Sequence, residues 1–230
     1  MAAAGSGERL GAGGPKAFVP LAGRPMLAWS IDAFRACDAV GAIIVAAPPG
    51  HLGEVEAGEG VTVVAGGATR AESVANALEA VTAEYIAIHD AARPLLTPEL
   101  VEALVAALDA NHEAAGVIAA APVTDTIKRV GESTLRFATS EVENRSLAIE
   151  ATEDRSQLWA AQTPQVFRTE ALRAALASAA RPQEATDEAM LVEGAGGTVL
   201  IHPVEGQNLK VTTPLDLEVA GRLLRSRIGT

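Results

Sequence analysis

Short continuous apolar runs alternate along the chain with longer stretches of helical period. Ala42–Ala47, Val61–Val64, Tyr85–Ile88, Gly116–Ala121 and Thr198–Pro203 read as buried strands, because each is four to six residues long and bounded by glycine, proline or polar residues. Leu27–Cys37, Thr69–Val81, Thr169–Ala180 and Leu215–Arg227 carry apolar residues at helical spacing, and Thr97-Pro98 opens a further helix after the third strand. Thr69, with Glu72 three residues later, has the form of a capping box. Strands separated by helices predict an α/β fold, a doubly wound and mostly parallel sheet.

The alternation breaks after Pro122. From Ile127 to Trp159 no helical period is visible, and Leu135–Thr139 and Ser146–Ala151 read as the arms of a hairpin turning near Glu143-Asn144-Arg145. A hairpin with few neighbours cannot bury its own apolar side chains, so this excursion, residues 127–154, is expected to pack on a second copy of the chain. The rest reads as one domain over 1–230. The extended run after Asp154-Arg155-Ser156 is expected to end at Gln162–Gln165, Thr186 to cap a helix running through Val192, and Leu209–Val211 to form a last short strand. Met1–Ala4 reads as a strand shorter than the five or six residues usual for a central one, cut short at its start.

With 18 Lys and Arg against 29 Asp and Glu, the net charge is −11. That excludes nucleic acid and anionic membrane surfaces as partners, since both demand broad basic surface. A small anion is still allowed if a few cations are placed locally. One cysteine, Cys37, sits inside an apolar helical run and reads as an inert buried thiol; with no charged leader and no membrane-length apolar run, a cytoplasmic protein is expected. No two histidines have metal-site spacing, and His51, His112 and His202 read as surface or structural residues.

The candidate chemistry starts at MAAAGSGERLGAGGPK. Gly5, Gly7, Gly11, Gly13 and Gly14 let backbone N–H groups close on an anion, while Arg9 offers a fork for two phosphate oxygens and Lys16 a movable point charge. Gly67 precedes the end of a helix, which either contacts a nucleotide or is an ordinary turn. Asp90 and Arg93 follow the third strand directly. In parallel sheets ligands bind beyond the carboxyl ends of strands, which puts both on the rim reached by the opening loop; the alternative is a local ion pair fastening a turn.

Seven motifs together resemble the 2-C-methyl-D-erythritol 4-phosphate cytidylyltransferase family. They are AAGSGERL (Ala3–Leu10) with Pro15-Lys16, GGATRAES (Gly66–Ser73), HDAARP (His89–Pro94), APVTDTIK (Ala121–Lys128), DRSQLWAAQTPQ (Asp154–Gln165), ATDEA (Ala185–Ala189) and NLKVTTPLDL (Asn208–Leu217). The resemblance implies a nucleotide-diphospho-sugar transferase-like fold, transfer of a cytidylyl group from CTP to methylerythritol phosphate, release of pyrophosphate, and magnesium. It also implies a homodimer paired through a β-arm, a place that Ile127–Asp154 occupies here with a longer excursion than is usual.

By the same resemblance, Arg9, Lys16 and Lys210 correspond to the catalytic cations on the triphosphate. Ala3, Ala4, Gly5, Gly7, Gly67, Ser73 and Ala91 correspond to the cytidine and phosphate contacts. Asp90, Arg93, Thr126, Arg155, Thr163 and Thr186, with Lys210, correspond to the groups around the acceptor, Arg155 reaching from the arm into the partner's site. Asp90 is expected on magnesium, on substrate hydroxyls, or on both. Ala68 replaces the acidic residue commoner in the family. Three other readings remain open: a sister enzyme using ribitol 5-phosphate, a CTP-binding sensor without turnover, and a dinucleotide-dependent oxidoreductase, the last opposed by Pro15-Lys16 and a missing ribose-binding acid.

Overall fold

The computed structural model describes residues 1–5, 14–136, 145–204 and 208–229. Arg9, Gly7, Gly11, Gly13 and the expected hairpin turn at Glu143-Asn144 lie outside them.

The chain opens with a bridging segment, residues 1–3, then a tight hairpin of β1 (Pro20–Leu21) and β2 (Arg24–Pro25), which turns through Ala22 and Gly23, both at positive φ. Next come α1 (Met26–Arg35), β3 (Ile43–Ala47), β4 (Val61–Ala65), α2 (Arg70–Leu78), β5 (Tyr85–Ile88), α3 (Pro98–Asp109) and β6 (Gly116–Pro122). The arm is β7 (Lys128–Arg136) and β8 (Arg145–Thr152); after it follow β9 (Trp159–Arg168), α4 (Thr169–Ser178), α5 (Glu188–Gly194), β10 (Val199–Pro203) and α6 (Pro214–Ile228).

Four strands pair in the order β10-β6-β9-β5, and β3 pairs with β4. Residues 1–3 join the two groups: Ala2 N donates to His89 O at 2.9 Å, and Ala3 N to Ala46 O at 2.9 Å. Every strand of these two groups runs the same way except β9, which is antiparallel to both β5 and β6. The sheet is therefore mixed around one reversed central strand. Leu27, Ile31 and Phe34 of α1 and Val101 of α3 cover one face, while Val74 of α2, Leu172 of α4 and Val192 of α5 cover the other. Beside Met1 and Ala2, β3 and β5 part around a mostly apolar cavity of about 420 Å³, which no charged side chain lines among the described residues.

Four expectations need correction. The extended run does not stop at Gln165: it continues as β9 to Arg168 in the middle of the sheet. Pro164 made this stretch read as an ending, since proline donates no ladder hydrogen bond. The fold absorbs it in an irregularity, where pairing jumps from Ile118↔Gln165 to Ala120↔Ala161. Leu209–Val211 forms no strand, because its neighbour is the loop after β5; Val211 N donates to Ala92 O at 2.8 Å, and no ladder follows. The cap of α5 is Asp187, whose carboxylate accepts from Met190 N at 3.0 Å, and Thr186 is exposed just before it. The arm is a hairpin with other bounds: its first strand starts at Lys128, not Leu135, and Arg145, expected in the turn, opens the second strand. The pairs run from Lys128↔Thr152 to Arg136↔Arg145, and positions 137–139 of the expected first arm lie outside the described residues.

Candidate active site

At the carboxyl ends of residues 1–3, β4 and β5 lies a cleft of about 700 Å³. Ala3, Ala4, Gly5 and Lys16 form one side of its lining; Gly67 to Arg70 and Ser73 form the other; Asp90 to Ala92, Lys210 and Thr212 complete it. Stretches more than two hundred residues apart therefore meet around one hollow.

The approach of these loops depends on small residues. A Cβ on Gly66 would stand 2.6 Å from Ala4 Cβ, and one on Gly67 would stand 2.2 Å from Glu72 Cβ. The start of α2 is closed by its own side chains: Thr69 Oγ1 accepts from Glu72 N at 3.1 Å, and Glu72 Oε2 accepts from Ala68 N at 2.7 Å. Gly67 N donates to Ser73 Oγ at 3.0 Å, and Ser73 Oγ donates to Thr69 O at 2.9 Å. These donors already have acceptors, so the wall here presents a tight backbone surface to a ligand.

The floor carries the charge. Asp90 Oδ2 pairs with Lys210 Nζ at 2.7 Å and Oδ1 with Arg70 Nε at 3.2 Å; Arg70 Nη1 also pairs with Glu188 Oε2. Burial works against the ionised form of Asp90. The Arg70 guanidinium and Lys210 ammonium outweigh it and hold the carboxyl well below the usual carboxylate range. Asp90 is the one carboxylate lining the cleft among the described residues, and no group of three or more His, Cys, Asp or Glu gathers anywhere among them to cage a metal.

Behind the floor is a second, largely neutral network. Asp90 N donates to Thr163 Oγ1 at 3.0 Å, and Thr163 Oγ1 lies 3.2 Å from His89 Nδ1. His89 Nε2 is 3.1 Å from Arg93 O, which can only accept, so the proton sits on Nε2 and Nδ1 accepts from the threonine hydroxyl. Burial draws the His89 pKa down to about 3, which keeps the ring neutral. Arg93 Nη1 donates to Asn208 O at 2.6 Å, and Asn208 Nδ2 to Thr163 O at 2.7 Å. Together these bonds fix the segment that carries Lys210 against the end of β5.

The cleft thus brings together Lys16, Lys210, Ala3, Ala4, Gly5, Gly67, Ser73, Ala91 and Asp90, with Thr163 and Arg93 buried directly behind it. Thr126, Arg155 and Thr186 are exposed and are not part of its lining. Arg155 donates to Thr124 O at the base of the arm. Sequence reasoning passed over Arg70 and Glu188. One signal was available: a cation in the first turn of a helix opposes the helix dipole and so requires acids from elsewhere in the fold.

The model of the family described as IspD, 2-C-methyl-D-erythritol 4-phosphate cytidylyltransferase, matches residues 1–226. Proteins of that name from Thermosynechococcus vestitus and Prochlorococcus marinus are 42% and 40% identical, over 98% and 99% of this chain and 94% and 97% of their own. The crystal structure of the enzyme from Thermus thermophilus superposes with a TM-score of 0.72 at 34% identity, covering 97% of both chains. That from Francisella tularensis gives 0.77 at 27% identity, over 96% of this chain and 95% of its own. With the motifs, the sheet and the cleft in agreement, the chain belongs to the 2-C-methyl-D-erythritol 4-phosphate cytidylyltransferase family.

Proposed function

We propose that the chain transfers the cytidylyl group of CTP to the phosphate of 2-C-methyl-D-erythritol 4-phosphate. The products are 4-diphosphocytidyl-2-C-methyl-D-erythritol and pyrophosphate, in the synthesis of isoprenoid precursors. The observation that carries this reading is the placing of Lys16 and Lys210, distant in sequence, on one cleft beside Asp90 in a chain of this family.

An acceptor phosphate oxygen attacks the α-phosphorus of CTP, and the bond to the β-phosphate oxygen breaks. No protein nucleophile is needed. Both reactants are anions, so the work is to hold them in line and to neutralise the charge that grows on the α-phosphoryl and leaving pyrophosphate. Lys16 and Arg9 serve the triphosphate. Lys210, about half exposed and paired to Asp90, exchanges that partner for phosphate oxygens where CTP and acceptor meet. Ala3, Ala4, Gly5, Gly7, Gly67, Ser73 and Ala91 contact the cytidine and the phosphates of CTP.

Asp90, the one carboxylate lining the cleft among the described residues, would be the protein group to hold a magnesium ion beside the phosphates. When bound, the ion neutralises phosphate charge. Asp90 also takes acceptor hydroxyls together with Thr186, while Arg93 and Thr163, buried behind the cleft, brace the end of β5 beneath it. Thr126 and Arg155, at the base of the arm, complete the acceptor side of a second copy. Val130, Leu147 and Ile149 are exposed on the arm and supply apolar surface for that homodimer. No helix among the described residues is long and apolar enough to cross a membrane, and we place the enzyme in the cytoplasm.

Incubation with CTP, magnesium and each candidate polyol phosphate, followed by pyrophosphate measurement, tests the reading. Release with 2-C-methyl-D-erythritol 4-phosphate is expected. Selective release with ribitol 5-phosphate would assign the sister activity, and no release with any acceptor would leave a CTP sensor.

A further inference from the structure

We infer that Arg70 is a positioning residue for the transfer reaction: it grips one oxygen of Asp90 so that the other stays turned toward Lys210, and Glu188 is the anchor that makes the grip rigid. The inference rests on the reading of the cleft given above.

Arg70 is the first residue of α2, where the helix dipole repels a cation. It is held there by two acids from other elements, Asp90 beyond β5 through Nε at 3.2 Å and Glu188 of α5 through Nη1. The Glu188 side chain is 1% exposed, against 27% for Arg70 and 46% for Lys210. With Asp90 12% exposed, the relay Glu188, Arg70, Asp90, Lys210 runs from a fully buried end through two largely buried members to a half-exposed tip. A guanidinium holds its nitrogens in one rigid plane, so anchoring Nη1 on Glu188 also fixes the direction from which Nε meets Asp90. When a phosphate draws Lys210 away, Asp90 keeps its orientation through Arg70 and presents Oδ2 to the reacting groups.

Arg70→Lys is the informative variant. It keeps a cation for the buried Glu188, and so keeps the fold, but one ammonium cannot hold both carboxylates as the fork does. Rates are measured on the full chain with CTP and 2-C-methyl-D-erythritol 4-phosphate, enzyme in excess, for wild type, Arg70→Lys, Asp90→Asn and the double variant. An inactive wild type would reject the reading of the cleft itself; an active wild type leaves the cycle to judge Arg70 alone. Arg70→Lys is expected to slow transfer by roughly 10²-fold through misplacement of Asp90, with KM for CTP and the circular dichroism spectrum unchanged. The double variant is expected to be no slower than Asp90→Asn, because Arg70 acts only through Asp90. Multiplied losses, or a wild-type rate in Arg70→Lys, would overturn the inference. If Asp90→Asn is too slow to measure, a crystal structure of Arg70→Lys decides: an Asp90 carboxylate turned from Lys210 supports the role, and an undisturbed one refutes it.

Discussion

In the cleft, side chains from well-separated stretches meet, and Asp90 faces cations brought by α2 and by the segment before α6. In the arm, β7 and β8 pair with each other alone among the described strands, and leave Leu147 55% and Ile149 63% exposed. The first region holds its polar groups in place within one chain; the second offers apolar surface that one chain does not cover. The contrast teaches where each half of the reaction is housed. On the function proposed above, the nucleotide side would be assembled within one chain, and Arg155 and Thr126, exposed at the arm's base, would serve the acceptor side of a second copy.

The hardest blow to the cleft is loss of a cation. Lys16→Ala and Lys210→Ala are each expected to lower kcat by about 10²–10³-fold with an unchanged circular dichroism spectrum, since on the proposed function each removes a positive charge that meets growing anionic charge. A near-normal rate in either would break the comparison on the side of the cleft.

The arm is tested by mixing two dead proteins. Lys16→Ala lacks the nucleotide-side charge and Arg155→Ala the acceptor-side charge, so equal amounts, unfolded and refolded together, should regain about a quarter of wild-type activity through mixed dimers with one intact site. No recovery, despite dimers in sedimentation, would place Arg155 in its own chain's site. Ile149→Glu should shift the sedimenting species to monomer and lower activity with it.

A smaller effect sharpens what lies behind the cleft. His89 has a pKa near 3 in the fold and about 6.5 when unfolded. The unfolded chain therefore takes up a proton that the folded chain refuses, and stability present above pH 6.5 is lost as pH falls toward 3. Urea unfolding at pH 7 and pH 4 should show that His89→Gln removes up to roughly 3 kcal/mol of the wild-type loss. Equal losses in both proteins would mean that the ring is not kept neutral. Gly67→Ala is the mildest: a Cβ 2.2 Å from Glu72 Cβ should cost about 1–3 kcal/mol in thermal unfolding and weaken CTP binding.

Much of this was legible in the order of residues. Apolar runs between glycines and prolines marked β3 to β6, and Thr69 with Glu72 marked the start of α2, because those signals are local. The reversed strand β9 was not, since Pro164 imitates an ending and only the irregularity against β6 shows how the sheet tolerates it. Lys16, Lys210 and Asp90 were found through motifs, but their pairing was not, as no spacing rule joins positions 90 and 210. Arg93 illustrates the same limit: a cation near a strand end suggests a ligand, yet its guanidinium is turned to Asn208 O and is buried. Arg70 and Glu188 escaped because a partnership across 118 positions exists only once α2 and α5 meet.

The most direct test of the central claim is a crystal structure with a non-hydrolysable CTP analogue. The account predicts one triphosphate with the ammonium groups of both Lys16 and Lys210 within ion-pairing distance, and the base against Gly67 and Ser73. A triphosphate bound in another hollow, or touching only one of the two lysines, would contradict it.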